Sequence, residues 1–132
     1  MIDFALNALD QSAIVTDTDA KQAVRETVEL AQCLDTLGYK RFWLAEHHNT
    51  SAFAGAAPEI LIGHIAAHTK NMSIGSGGIM LPHYSPLKVA EQFRMFSLFA
   101  SGVFCLPAAL TRCILETAFS LCFFFSHKGS PL

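Results

Sequence analysis

Glu46-His47-His48 is the densest run of chemistry-bearing side chains in the sequence. A neutral imidazole accepts a proton near pH 7, so this cluster is a candidate acid–base centre. The residues also admit a plainer reading, in which they only tie down a loop. Gly75-Ser76-Gly77-Gly78 is the second candidate. Glycine weakens strands, and three in four residues point to close backbone approach by a ligand, or to a strained peptide. A bend at a barrel or sheet corner fits equally. The run is not a G-x-G-x-x-G, and no acidic residue stands at the ribose-binding distance. Asp10-Gln11-Ser12 could contact a ligand or form an Asx- or Ser-type turn. His64 and His68 are four apart, but Ile65 stands where a zinc peptidase needs Glu, so they read as partly exposed helix histidines. Cys33 is expected to pack as a small apolar residue, and Phe42 and Trp43 as sheet core.

The elements that must hold these residues alternate in type. Ile2–Leu9 reads as a first strand. Asp17, Thr18 and Asp19 offer N-caps to a first helix. Ala20, Ala23, Val24, Thr27, Val28, Ala31, Leu34 and Leu37 then recur at spacings of three and four, one face of an amphipathic helix. Gly38 sits where a C-terminal glycine belongs. Lys40–Ala45 is a short apolar strand, and residues 46–57 are a loop. Pro58 and Glu59 suit the start of a second helix, running to about Thr69. Met72–Leu81 reads as a third strand, and Ser85-Pro86 as the start of a third helix, to about Phe99. This alternation implies an α/β fold with a parallel sheet and right-handed crossovers. In such folds ligands sit at the carboxyl ends of the strands, where Glu46-His47-His48 falls.

Composition narrows the classes. The chain has 132 residues, 52% hydrophobic and 15% charged, against about 25% charged in typical domains. That excludes intrinsic disorder. A net charge of −2 gives no support to nucleic-acid binding. The length excludes a complete (β/α)₈ barrel, which needs about 200 residues. The four cysteines form no C-x-x-C pair, so neither a metal site nor a disulfide framework is expected. The start, Met1-Ile2-Asp3-Phe4, has no signal-peptide pattern, and a cytoplasmic location is the expectation.

Four motifs occur in order: Leu9-Asp10-Gln11-Ser12, Arg41 through Asn49 (RFWLAEHHN), Gly75 through Pro82 (GSGGIMLP) and Ser85 through Phe93 (SPLKVAEQF). Together they resemble the N-terminal third of the bacterial luciferase-like, flavin-dependent monooxygenases, over about residues 3–95. The resemblance implies three βα units of a TIM-barrel-like fold, an incomplete barrel. It implies an oxidoreductase that uses reduced FMN and O₂ to oxygenate a small organic substrate, with a separate flavin reductase as a possible partner. His47 falls at the family's active-site histidine, the expected catalytic residue. Glu46, His48, Gly77 and Gly78 are the expected cofactor-binding residues. Gly77–Gly78 matches the place where the family has a non-prolyl cis peptide under the flavin ring.

Past Met95 the composition changes. Residues 96–132 carry only three charged side chains, Arg112, Glu116 and Lys128. The family's Pro-Gly-Arg segment is missing, and nothing after residue 95 is expected to match. The domain expectation is therefore 1–95 as the barrel opening and 96–132 as an apolar tail, helical or read from another frame. A truncated product of doubtful activity follows from this, exposing sheet edges that favour self-association. The missing strands carry most of the family's contacts to the flavin phosphate. A non-catalytic or partner-docking fragment is the alternative, and a membrane-associated product through residues 96–125 a further one. The longest charge-free stretch, Met95–Thr111, is 17 residues with Gly102 and Pro107 inside it, against the roughly 20 apolar residues of a spanning helix.

Overall fold

The computed structural model describes residues 4–99 and 104–105. It is a parallel sheet with helices in the connections. The elements are β1 (Asn7–Asp10), α1 (Ala20–Thr36), β2 (Arg41–Leu44), α2 (Pro58–Ala66), β3 (Ser73–Ser76), a 3₁₀ turn (Leu81–His83), α3 (Pro86–Phe99) and β4 (Phe104–Cys105). The strand order is β1-β2-β3-β4, every pair parallel.

Local chemistry sets most of the boundaries. The Asp19 carboxylate accepts from Gln22 N at 2.7 Å and caps α1. Gly38, at φ +83°, ends it. Gly38 N donates to Asp35 O and Tyr39 N to Leu34 O, a paired closure that only a left-handed residue allows cheaply. Pro58 opens α2, which stops at Ala66 and not near Thr69. Side chains take its last carbonyls: Thr69 Oγ1 donates to Ile65 O and His68 Nδ1 to His64 O. β3 ends at Ser76, short of Leu81. Beyond it Met80 N donates to the Glu46 side chain, and Pro82 has no N–H to give.

One face of the sheet carries the core. Phe42, Leu44 and Ile74 are buried against Ala31 and Leu34 of α1, Ile62 and Ile65 of α2, and Val89 and Phe93 of α3. The alternate residues form cross-strand rows on the other face, Asn7–Arg41–Ser73 and Leu9–Trp43–Gly75. Leu9 is 59% exposed there. Trp43 is only half-buried, so of the two expected core aromatics Phe42 alone lies in the core. Cys33 is exposed, which corrects its expected packing: it lies beside the buried stripe formed by Ala31, Leu34 and Asp35.

The change in composition at Met95 is not a break in the fold. α3 passes through it to Phe99, and β4 joins the sheet with Phe104 opposite Gly75 and Cys105 opposite Ser76. The sheet thus has four strands where three were expected. The expectations for residues 106–132 lie outside the described residues. No helix among the described residues is long and apolar enough to cross a membrane.

Candidate functional site

Parallel strands bring the ends of β1, β2 and β3 to one edge of the sheet. The ends are stitched together by backbone bonds. Ala45 N donates to Asp10 O, Ile14 N to Ala52 O, Ala54 N to Ser12 O and His47 N to Gly55 O, all at 2.8–3.0 Å. The loop over residues 46–57 is therefore an ordered wall. Gly55 allows this closeness: a Cβ there would lie 3.2 Å from Ala45 O.

Asp10-Gln11-Ser12 adopts the turn. Asp10 Oδ2 accepts from Ser12 N at 3.0 Å and from Thr27 Oγ1 at 2.6 Å. The Thr27 hydroxyl also lies 2.9 Å from Ser12 Oγ. The motif is occupied in fixing the β1 end to α1.

His47 stacks on Phe53, with ring centroids 4.3 Å apart and planes 22° apart. Its Nε2 is buried and has no hydrogen-bond partner among the described residues. A buried imidazole nitrogen left unpaired is costly unless something else meets it.

Glu46 and His48 are placed differently. The Glu46 side chain is 2% exposed. Its Oε1 accepts from His48 Nε2 at 2.5 Å and from Tyr84 Oη at 2.8 Å, and its Oε2 from Met80 N at 2.9 Å. The His48 ring also lies 4.8 Å from that of His83. Expected as a cofactor contact, Glu46 instead has both oxygens turned to the protein's own donors. The Tyr84 phenol is pushed up to about 12 by burial first, then by its hydrogen bond to Glu46 and the charges of Glu46 and Glu59.

Gly77 and Gly78 follow β3 directly. Gly77 N donates to Leu44 O at 2.8 Å, continuing the ladder past the strand. A Cβ on Gly77 would lie 2.8 Å from Leu9 Cδ1, whereas one on Gly78 would meet nothing within 4 Å. The peptides of the described residues are all trans, so the cis bond expected at Gly77–Gly78 is absent. The extended ladder and the contact of Ser76 Oγ with Gly78 O at 2.5 Å hold this turn.

The structure therefore gathers His47, Glu46, His48, Gly77 and Gly78 at one sheet edge. Phe53, Gly55, Met80 and Tyr84 join them, and the sequence reading missed all four. Phe53 and Tyr84 lie in loops with no periodicity, so only the aromatic type hinted at a role. His64 on α2 and His68 just past its end stand apart, exposed, with rings 4.5 Å apart. No group of three or more His, Cys, Asp or Glu able to hold a metal occurs among the described residues.

Comparison with known proteins adds context to this geometry. Residues 4–106 match the profile of the luciferase-like monooxygenases, so the match runs past Met95, beyond the expected limit. The N-acetyl-S-alkylcysteine monooxygenase of Bacillus subtilis is 50% identical over 97 residues, 74% of this chain and 29% of that protein. A luciferase-like monooxygenase of Escherichia coli K12 is 46% identical over 89 residues, 67% of this chain and 27% of its own length. The chain thus spans under a third of the curated relatives it matches. The crystal structure of apo-MsnO8 superposes with a TM-score of 0.78 at 36% identity, covering 96% of this chain and 44% of that one. The FMN complex of the oxygenating constituent of 3,6-diketocamphane monooxygenase from Pseudomonas putida shares the fold at 23% identity, with a TM-score of 0.73 over 79% of this chain and 29% of its own.

Proposed function

The chain belongs to the luciferase-like monooxygenase family, and from that membership and the site we propose that it carries the acid–base end of an FMN-dependent oxygenation site. The observation that carries the reading is His47 Nε2, buried and unpartnered at the carboxyl edge of a parallel sheet. Such an atom fits a bound polar group. The uncovered sheet face beside it, with Leu9 and Trp43, fits a flat and partly apolar one. His47 Nε2 and the Gly77–Gly78 backbone are the groups that would hold the flavin. His48 would stand at the rim, with Glu46 behind it.

Reduced FMN, when bound, supplies the electrons for O₂ activation. His47 would hold or move a proton at Nε2. Phe53 fixes the ring plane, and the bond from His47 N to Gly55 O fixes its backbone. The ordered wall of residues 46–57 would border a group bound there. A small organic substrate, O₂ and a separate flavin reductase are the proposed partners.

The proposal expects binding before turnover. FMN titrated into the purified chain should quench its fluorescence, and His47→Ala should weaken binding about tenfold, near 1.4 kcal/mol. Equal affinity for both proteins would remove His47 from the site. The second reading is a non-catalytic module that docks with another chain through the unpaired sheet edges. Product formation by the isolated chain from photoreduced FMN and O₂ would end it.

A further inference from the structure

We propose that Glu46 is a positioning residue whose buried carboxylate ties the β3–α3 loop to the end of β2 and fixes the His48 ring beside His47. The functional meaning of this clamp rests on the site reading above; the clamp itself stands on geometry.

A carboxylate 2% exposed is costly unless its charge is met by donors. Glu46 meets three, and two of them, Met80 N and Tyr84 Oη, lie 34 and 38 residues further along the chain. They bracket the 3₁₀ turn Leu81–His83, so the loop is pinned to β2 on both sides of that turn. Met80 N is diverted from any strand ladder to do this. The third donor, His48 Nε2, lies only two residues away. His48 is thereby held between the Glu46 carboxylate and the His83 ring. The two adjacent histidines are thus separated in role. His48 Nε2 is committed to Glu46, and His47 Nε2 is left open. Each Glu46 oxygen already accepts from a protein donor, so the carboxylate is held in place by the fold itself.

The clamp requires a proton on His48 Nε2, which makes the ring tautomer a direct readout. The experiment is NMR of the full labelled chain, reading histidine tautomers and amide exchange. Glu46→Gln preserves shape but leaves one acceptor oxygen, which cannot serve Met80 N–H on one side and His48 and Tyr84 on the other. Met80 protection should fall at least about tenfold, the loss of one hydrogen bond. The His48 ring should lose its Nε2–H preference, while amides of β2 and β3 keep their protection. Unchanged Met80 and His48 signals would overturn the proposal. So would protection falling equally at Met80 and across the sheet, the mark of a merely structural carboxylate. Tyr84→Phe removes one donor and adds none, and it decides the matter if Glu46→Gln fails to fold. His48 ring signals should then shift with Met80 still protected; a ring that does not move would overturn the clamp. The FMN titration is independent of these signals, so the clamp and the functional reading can fail separately.

Discussion

Side chains at this edge are defined by what they are already bonded to. Glu46 and Asp10 are satisfied within the protein, whereas His47 Nε2 is not. That contrast could not be read from Glu46-His47-His48 as letters, because the deciding donors lie in other loops. Tyr84 carries a consequence for pH. Its phenol is raised from 10.0 to about 12 in the fold. Between those values the native state binds more protons than the unfolded one, so stability present below pH 10 is lost as pH rises through the window. Urea unfolding from pH 10 to 12 should show Tyr84→Phe losing stability less steeply than the parent. Parallel slopes would exclude Tyr84 from the linkage. Asp35 plays a similar part at the opposite end of the sheet. Buried at the end of α1, it accepts from Lys70 N at 2.8 Å and Asn71 N at 2.9 Å. Asp35→Asn should destabilise by about 1–3 kcal/mol, since its amide sets a donor against a backbone N–H. A urea midpoint equal to that of the parent would refute this.

At the scale of elements, what could be read locally was read well. The face of α1, its Asp19 cap and the Gly38 terminus depend on residues within a few positions of each other, and all were legible. The errors have separate causes. α2 ends early because Thr69 and His68 side chains turn back to its carbonyls. β3 ends early because Met80 bonds Glu46, a partner 34 residues away. The fourth strand was hidden because a run rich in Phe, Cys and Leu has no alternation to separate strand from buried helix. In the site, His47 and the glycines were singled out through their order along the chain. Tyr84 and Phe53 were not, because contacts between loops leave no period in the sequence.

At the scale of the whole molecule, the governing fact is that the described residues form a sheet with two free edges and one uncovered face. β1 pairs only with β2, and β4 only with β3, among the described residues. Unpaired edges are templates for further strands, and Leu9 and Leu6 stand exposed beside the β1 edge. The chain should therefore self-associate. Light scattering after size exclusion at micromolar concentration should give a mass above the 14.4 kDa of one chain. A single peak at that mass would refute the expectation.

The strand order β1-β2-β3-β4 is also the order of synthesis. Every strand after β1 finds its partner already made, and the buried cluster among the described residues runs to Phe93. Each strand–helix unit leaving the ribosome meets an edge that has already formed, and loop closure stays short at every step. That order predicts assembly by addition at a single growing edge, with β1 as its origin.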